Sequence, residues 1–324
     1  MIGPGVCPPV HFAAPDILVH YLNSICLDMR KRIGLLTAIL GLIFASCEKT
    51  ISFKPNDTAP VVVIEATIEN GQAPVVILSH SLNYFNTITP DILAGSFIRN
   101  ADVTVSNGTK THHLKEYGIP VANGYAFYYY STDSSNLATS FKGEFGKSYS
   151  LSVKVDEKEY TATTTIPYLA KKIDSLWWKP ATNEPDSVKV VLMARITDPP
   201  GLGNYTRYFT QVAGLAFYPG LNSVMDDQLT DGTTYDFQIE KGVDRNNGIN
   251  LQEYAFFDKG DSVVVKYCNI DKATFDFWRT MEYSYSNVGN PFGAPTTVLS
   301  NIQGGGLGYF GGYAAQYISY KIPK

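Results

Sequence analysis

The sequence predicts a mainly β protein: an N-terminal immunoglobulin- or transthyretin-like sandwich, followed by a second β-rich region carrying one helix. Three observations predict it. Apolar residues recur at every second position through much of the chain, as in Tyr149, Leu151, Val153 and Val155 and then Tyr160, Ala162, Thr164 and Ile166. Turn pairs such as Asn70-Gly71 and Asn107-Gly108 interrupt these runs at short intervals. A helical period is convincing only once, after Asp271, where Phe275, Trp278, Met281 and Tyr285 follow at helical spacing.

The first segment to justify precedes the β pattern. Arg30-Lys31-Arg32 opens a basic stretch, Ile33–Phe44 is apolar, and Ala45-Ser46-Cys47 follows. A basic start, a short apolar run and small residues before a cysteine read as a lipoprotein signal peptide over 29–46. The run falls short of the about 20 residues a spanning helix needs. Cys47 is therefore the expected lipidation site, with Phe44 standing where many such signals have Leu. Met29 directly precedes the basic stretch, so residues 1–28 read as a non-translated extension. Residues 47–60 are polar, contain Pro55 and Pro60, and read as a tether of on the order of 20 Å reach. The expected address is the outer membrane, with the cell-surface face favoured over the periplasmic one.

Removing residues 1–46 leaves 278 of the 324, with 23 basic and 28 acidic side chains. No basic cluster exists, which disfavours nucleic acid as a partner. Of four cysteines, only Cys268 remains for the folded region, so no internal disulfide is available to it. Cys268 ends a strand-like run and reads as a buried thiol.

Strands are expected at 61–67 and 75–79, through the alternation at Ala101, Val103 and Val105, and across the Asp156-Glu157-Lys158 turn. Together they make a β-sandwich domain over 61–168. Pro167 closes it, because proline lacks the ladder donor. A second domain, 171–324, offers strands at 188–197, 205–213, 234–240 and 262–269, then a helix over about 272–286. Asp271 is its natural N-cap. Gly304-Gly305-Gly306, Gly308 and Gly311-Gly312 predict a loop before a final strand at 313–322.

Several stretches together carry a resemblance. They are the Cys47 signal, Tyr160–Pro167, Asp198-Pro199-Pro200-Gly201 with Asn204-Tyr205 and Arg207-Tyr208, then Phe277–Tyr283, Gly289-Asn290-Pro291-Phe292 and Gly306-Leu307-Gly308-Tyr309-Phe310. The chain resembles the Bacteroidota outer-membrane lipoproteins grouped as domain-of-unknown-function family 4249. The resemblance implies a secreted, lipid-anchored β-rich protein, often encoded near a TonB-dependent outer-membrane transporter. It offers no catalytic residues to carry over.

Motifs with chemistry are scarce. The 304–312 glycines lack either phosphate-loop spacing and precede a strand. Asp244–Asn250 imitates a calcium loop, but the twelfth position is Ala255 where a bidentate glutamate is required. His112 and His113 are adjacent, so a strand sends them to opposite faces. No metal, cofactor or catalytic set is expected. Aromatic residues are the surplus: Tyr125, Phe127 and Tyr129 share one strand face, Tyr128 and Tyr130 the other. Tyr128 and Tyr130, with Gly304, Gly305, Gly306 and Tyr309, are the candidate ligand- or partner-binding residues, against the alternative of packing within the fold. The expectation is a non-enzymatic accessory that binds beside a TonB-dependent transporter. A structural or adhesive surface protein, or a hydrolase using carboxylates such as Asp236, Glu240, Asp258 and Asp261, are the alternatives.

Overall fold

The computed structural model describes residues 59–82, 89–121, 124–181, 188–245, 248–250, 252–287 and 296–324. Cys47, its signal and its tether lie outside the described residues. Residues 59–324 form one compact unit.

Fifteen strands and two helices are described. The first half contains β1 (Val62–Glu69), β2 (Val75–His80), α1 (Pro90–Ser96), β3 (Asp102–Ser106), β4 (Thr111–Pro120), β5 (Ala126–Thr132), β6 (Lys147–Val155) and β7 (Lys158–Ile166). The second contains β8 (Lys172–Pro180), β9 (Lys189–Thr197), β10 (Tyr205–Val212), β11 (Tyr218–Met225), β12 (Thr234–Ile239), β13 (Phe257–Asp258), β14 (Ser262–Ile270), α2 (Lys272–Ser286) and β15 (Leu307–Lys321). Eleven strands hydrogen-bond in the order β11-β10-β14-β15-β1-β2-β5-β4-β3-β6-β7. A smaller sheet is built on β9, with β8 along one edge and β12 and then β13 along the other.

The long sheet turns a corner at β4, whose residues 111–113 pair with β3 while 114–120 pair with β5. The β3-β6-β7 end thereby faces β1 and β2. Ile64, Ala66 and Ile68 of β1 meet Val103, Val105, Leu151, Val153 and Ala162 in one apolar core. Alternation along each strand creates this face, since every second side chain points inward. The second core packs Val190, Leu192, Ala194 and Ile196 of β9 against Tyr208, Val263, Val265 and Tyr267 of the long sheet. A third cluster on the other side of the long sheet joins Cys268, Ile270, Tyr309 and Tyr313 to Phe275 and Phe277 of α2.

The passage from first core to second falls between Ile166 and Ile173. The two halves are nevertheless fastened by β15, which lies parallel to β1 and antiparallel to β14. Phe310 and Ala314 of β15 enter the first core, whereas Ile318 packs on the second.

The glycine-rich stretch corrects one expectation. Gly308, Gly311 and Gly312 belong to β15, which starts at Leu307 and not at 313. Gly308 has φ +101°, and a Cβ there would collide with the Ile64 carbonyl. A Cβ on Gly312 would lie 2.5 Å from the Thr165 carbonyl of β7, which crosses β15 at that point. The glycines permit close backbone packing. Periodicity also missed α1, β11 and the two-residue β13.

Helix α2 begins as expected, with the Asp271 carboxylate accepting from Thr274 N at 2.8 Å. Its other oxygen accepts from Thr164 Oγ1 at 2.7 Å and Thr165 N at 2.9 Å, pinning the helix to β7. The buried stripe differs from the expected one. Phe277 and Glu282 are buried, while Tyr285 is 51% exposed. Glu282 is drawn inward by a hydrogen-bonding partner on β11, which hydrophobic spacing cannot register.

Candidate functional site: a mixed-charge aromatic cavity

The outer face of β1, β15, β14 and β10 would be open to solvent if nothing covered it. Helix α2, β11 and residues 243–245 rise around it and leave a cavity of about 430 Å³. Three acidic side chains (Glu65, Glu69, Asp244) and three basic ones (Arg207, Arg245, Lys266) line it, with Phe209, Tyr218, Trp278, Tyr309 and Tyr313. Each strand contributes through its outward positions, so Glu65, Thr67 and Glu69 alternate with the core residues Ile64, Ala66 and Ile68.

Arg207 is 3% exposed and held on several sides. Its guanidinium lies 3.4 Å from the Trp278 ring centre and 4.7 Å from that of Phe209. Nε donates to Ser223 Oγ at 3.0 Å, and Nη1 to Tyr313 Oη at 3.3 Å. Ser223 in turn donates its hydroxyl to Glu282 at 2.5 Å and its backbone N–H at 3.0 Å. Glu282 also faces Arg245 at 3.8 Å, whose Nη2 donates to the Gly220 and Leu221 carbonyls. Arginine suits this role because its planar fork stacks and donates at once.

Trp278 Nε1 donates to Tyr313 Oη at 3.1 Å, and the Tyr313 hydroxyl faces that of Tyr309 at 3.4 Å. Tyr309 is 3% exposed and stacks on Phe277 with ring centres 4.5 Å apart. Burial pushes its phenol well above the usual range, so it remains a neutral donor.

Lys266 pairs with Glu69, which also accepts from Tyr317 Oη at 2.5 Å. Burial works against the ammonium, but Cys268, Glu69 and Tyr317 together hold its pKa above the ordinary lysine value. The Cys268 thiol is itself pushed up to about 12 by burial and stays neutral near pH 7, so Glu69 is the partner that matters. The buried thiol expected from the sequence is what the structure contains.

Glu65 differs from its neighbours. Among the described residues its carboxylate has no hydrogen-bond or ion-pair partner. Solvent reaches it from the cavity, yet protein surrounds it closely enough that burial pushes its pKa up, against the opposing pull of Arg207.

Residues 48–318 match the sequence model described as Domain of unknown function (DUF4249). The chain belongs to that family. No curated protein matches it. The cavity gives the DUF4249 resemblance a physical location. Arg207, Trp278 with Glu282, and Tyr309 come from three of the separate stretches that carried it, and all converge here.

Of the six candidate binding residues named from the sequence, Tyr309 alone lines this cavity. Tyr130 is a core residue at 2% exposure. Its hydroxyl accepts from Ala101 N at 3.1 Å and faces Ile98 O and Glu116 Oε2 at 3.1 and 3.0 Å, so it presents no surface. Tyr128 is covered by the Arg99 guanidinium, 3.8 Å above its ring. The aromatic ladder is on the other face, where Phe127, Tyr129 and Tyr117 stack in turn. Gly304 and Gly305 are exposed, whereas a Cβ on Gly306 would lie 2.9 Å from the Tyr160 ring. This loop seats against β7, away from the cavity.

The carboxylates weighed for hydrolysis are separately engaged. Asp236 pairs with Arg195, Asp258 with Lys189, Asp261 accepts from Asp258 N, and Glu240 faces Tyr254. Glu65 and Glu69 are four strand residues apart, about 13 Å along β1, beyond the spacing of paired glycosidase carboxylates. Adjacent His112 and His113 point oppositely, one buried and one exposed. Of the calcium-like stretch, Asn246 and Asn247 lie outside the described residues, and Arg245 turns inward to β11.

Sequence reasoning missed Glu65, Arg207 and Lys266. Their signal was a charge in the middle of a strand otherwise rich in apolar residues. Such a charge faces either open solvent or a second layer, and strand alternation does not distinguish the two.

Proposed function

We propose that this DUF4249 protein is a lipid-anchored outer-membrane binding module that captures a small ligand in the cavity beneath α2, beside a TonB-dependent transporter. The cavity carries the reading. A concave site with aromatic walls and a few convergent polar groups is the usual form of a small-molecule site. Here Glu65 accepts nothing, and the Tyr309 hydroxyl donates to no group, among the described residues.

The Cys47 signal and the 47–60 tether support the anchoring half of the reading, and the resemblance supports the transporter half. Two lipids or more give stable attachment, and a tether of this length keeps the folded unit close to the membrane. Cys47→Ser is expected to abolish labelling by a fatty-acid analogue; persistent labelling would remove the anchor. Tagged protein purified in mild detergent is expected to carry a β-barrel transporter, identified by mass spectrometry. Recovery of the lipoprotein alone, with unchanged transporter-dependent growth on deletion, would overturn the docking.

A further inference from the structure

The geometry points to a ligand class for the cavity: we propose a neutral, hydroxyl-rich small molecule, a saccharide or polyol. This rests on the reading of the cavity as a binding site and adds to it the chemistry of the occupant.

Charge is the first argument. The lining holds three acidic and three basic side chains. Lys266 is matched by Glu69, and Arg245 by Glu282. Arg207 is left as the counter-charge that Glu65 feels, without direct contact between them. The lining by itself carries no formal net charge, three carboxylates with Asp244 included against three cations, and Glu282 stands behind it. A ligand with net charge would bring one unmatched charge into partly dehydrated surroundings, which is unfavourable.

Hydrogen-bonding capacity is the second. Glu65 offers acceptors only, whereas Tyr309 and the Nη2 of Arg207 offer donors without partners among the described residues. A hydroxyl donates and accepts, so vicinal hydroxyls satisfy both kinds of group. An ammonium only donates, and a carboxylate or phosphate only accepts. The Tyr309 donor is strengthened by its chain, because Trp278 and Arg207 both donate to Tyr313, which leads to Tyr309. The apolar parts of Phe209, Tyr218 and Tyr313 offer surface to the C–H face of a ring.

Titration calorimetry on the mature protein in detergent tests this with two panels. One contains glucose, galactose, maltose, cellobiose and myo-inositol; the other contains glycine, lysine, glutamate and phosphate. Saturable binding of at least one neutral compound is expected. Glu65→Gln should weaken it about tenfold or more, and Tyr309→Phe about threefold, with melting temperatures checked in parallel. Binding of charged or zwitterionic compounds alone, lost in Glu65→Gln, would overturn the ligand class and leave the cavity as the site. Failure of every neutral compound at about 10 mM, or neutral binding indifferent to both variants, overturns the proposal as well. Transporter co-purification is read separately, so it can stand or fall without this result.

Discussion

The two ends of the long sheet obey the same alternation and reach opposite outcomes. Outside β3, β6 and β7 stand Thr104, Ser106, Ser150, Ser152, Thr161 and Thr163, small hydroxyls lining a concavity of about 410 Å³. Outside β10, β14, β15 and β1 stand Arg207, Phe209, Lys266, Tyr309, Tyr313 and Glu65. Residues 301–303 border the first surface, bonded to Thr161 and Thr163, whereas α2 lies over the second. The two concavities are of similar volume, so what sets the second apart is chemistry: charged and aromatic side chains converge there beside α2, while the first offers small hydroxyls. The interiors contrast as well. The first interior admits Thr164 and His112 as well as its tyrosines, whereas beside the second Lys171 and Asp198 form a fully buried ion pair at 2.7 Å. Thr230 bridges the pair, donating to Asp198 Oδ2 at 2.8 Å and lying 3.1 Å from Lys171 Nζ.

The severest way to break the comparison is to separate the ends. A fragment of residues 59–168 lacks Ile302, Phe310 and Ala314 from its core and leaves the β15 edge of β1 bare. It is expected to show no cooperative urea transition, and addition of a peptide covering residues 300–324 should restore one. A cooperative fragment without the peptide would make the two ends independent.

Removing one partner of the buried pair comes next. Lys171→Met strands the Asp198 carboxylate and should cost about 3–5 kcal/mol in urea unfolding. The double variant Lys171→Met with Asp198→Leu should recover most of that loss. If the single variant is nearly neutral, the pair does not hold the second half together.

Trp278→Ala deletes the surface on which Arg207 stacks, and about 3 kcal/mol is expected. On the opposite surface Thr163→Ala should fall within about 0.5 kcal/mol. Equal losses at the two positions would mean that covering the sheet with α2 makes no energetic difference.

Glu65→Gln gives a smaller effect of the other sign. The folded-state pKa of Glu65 is raised by burial, so its ionised form is disfavoured on folding. Its contribution to stability therefore improves as pH falls through that raised pKa, and worsens above it. At pH 7 the variant should be equal to or more stable than the parent, by less than about 1 kcal/mol given the solvent access. The difference should vanish at a pH low enough to protonate Glu65 in both states. A clear loss of stability at pH 7 would assign Glu65 a structural partner.

Much of the fold was legible because its signals are local. Alternation at Tyr149–Val155 and Tyr160–Ile166 became β6 and β7, Asp156 took the left-handed turn at φ 53°, and Asp271 capped α2. The helix's own buried stripe was read less well, since Glu282 is buried by Ser223 of a distant strand. The glycines of 308–312 looked like a loop because glycine is a local turn signal; they are strand residues because Ile64 and Thr165 approach too closely for a Cβ. Tyr130 looked like surface because a strand face can be inner or outer with equal periodicity.

The sequence by itself determined the β class, the long helix capped by Asp271, the absence of a disulfide among the folded residues and the identity of the stretches that mark the family. Those properties follow from dihedral preference, period and residue count, which neighbouring residues encode. The tertiary structure alone decided that β15 would lie beside β1, and that Arg207, Trp278 and Tyr309 would share one wall. These follow from contacts between residues as far apart as Glu65 and Tyr309, where register and a covering layer are set by packing across the whole chain.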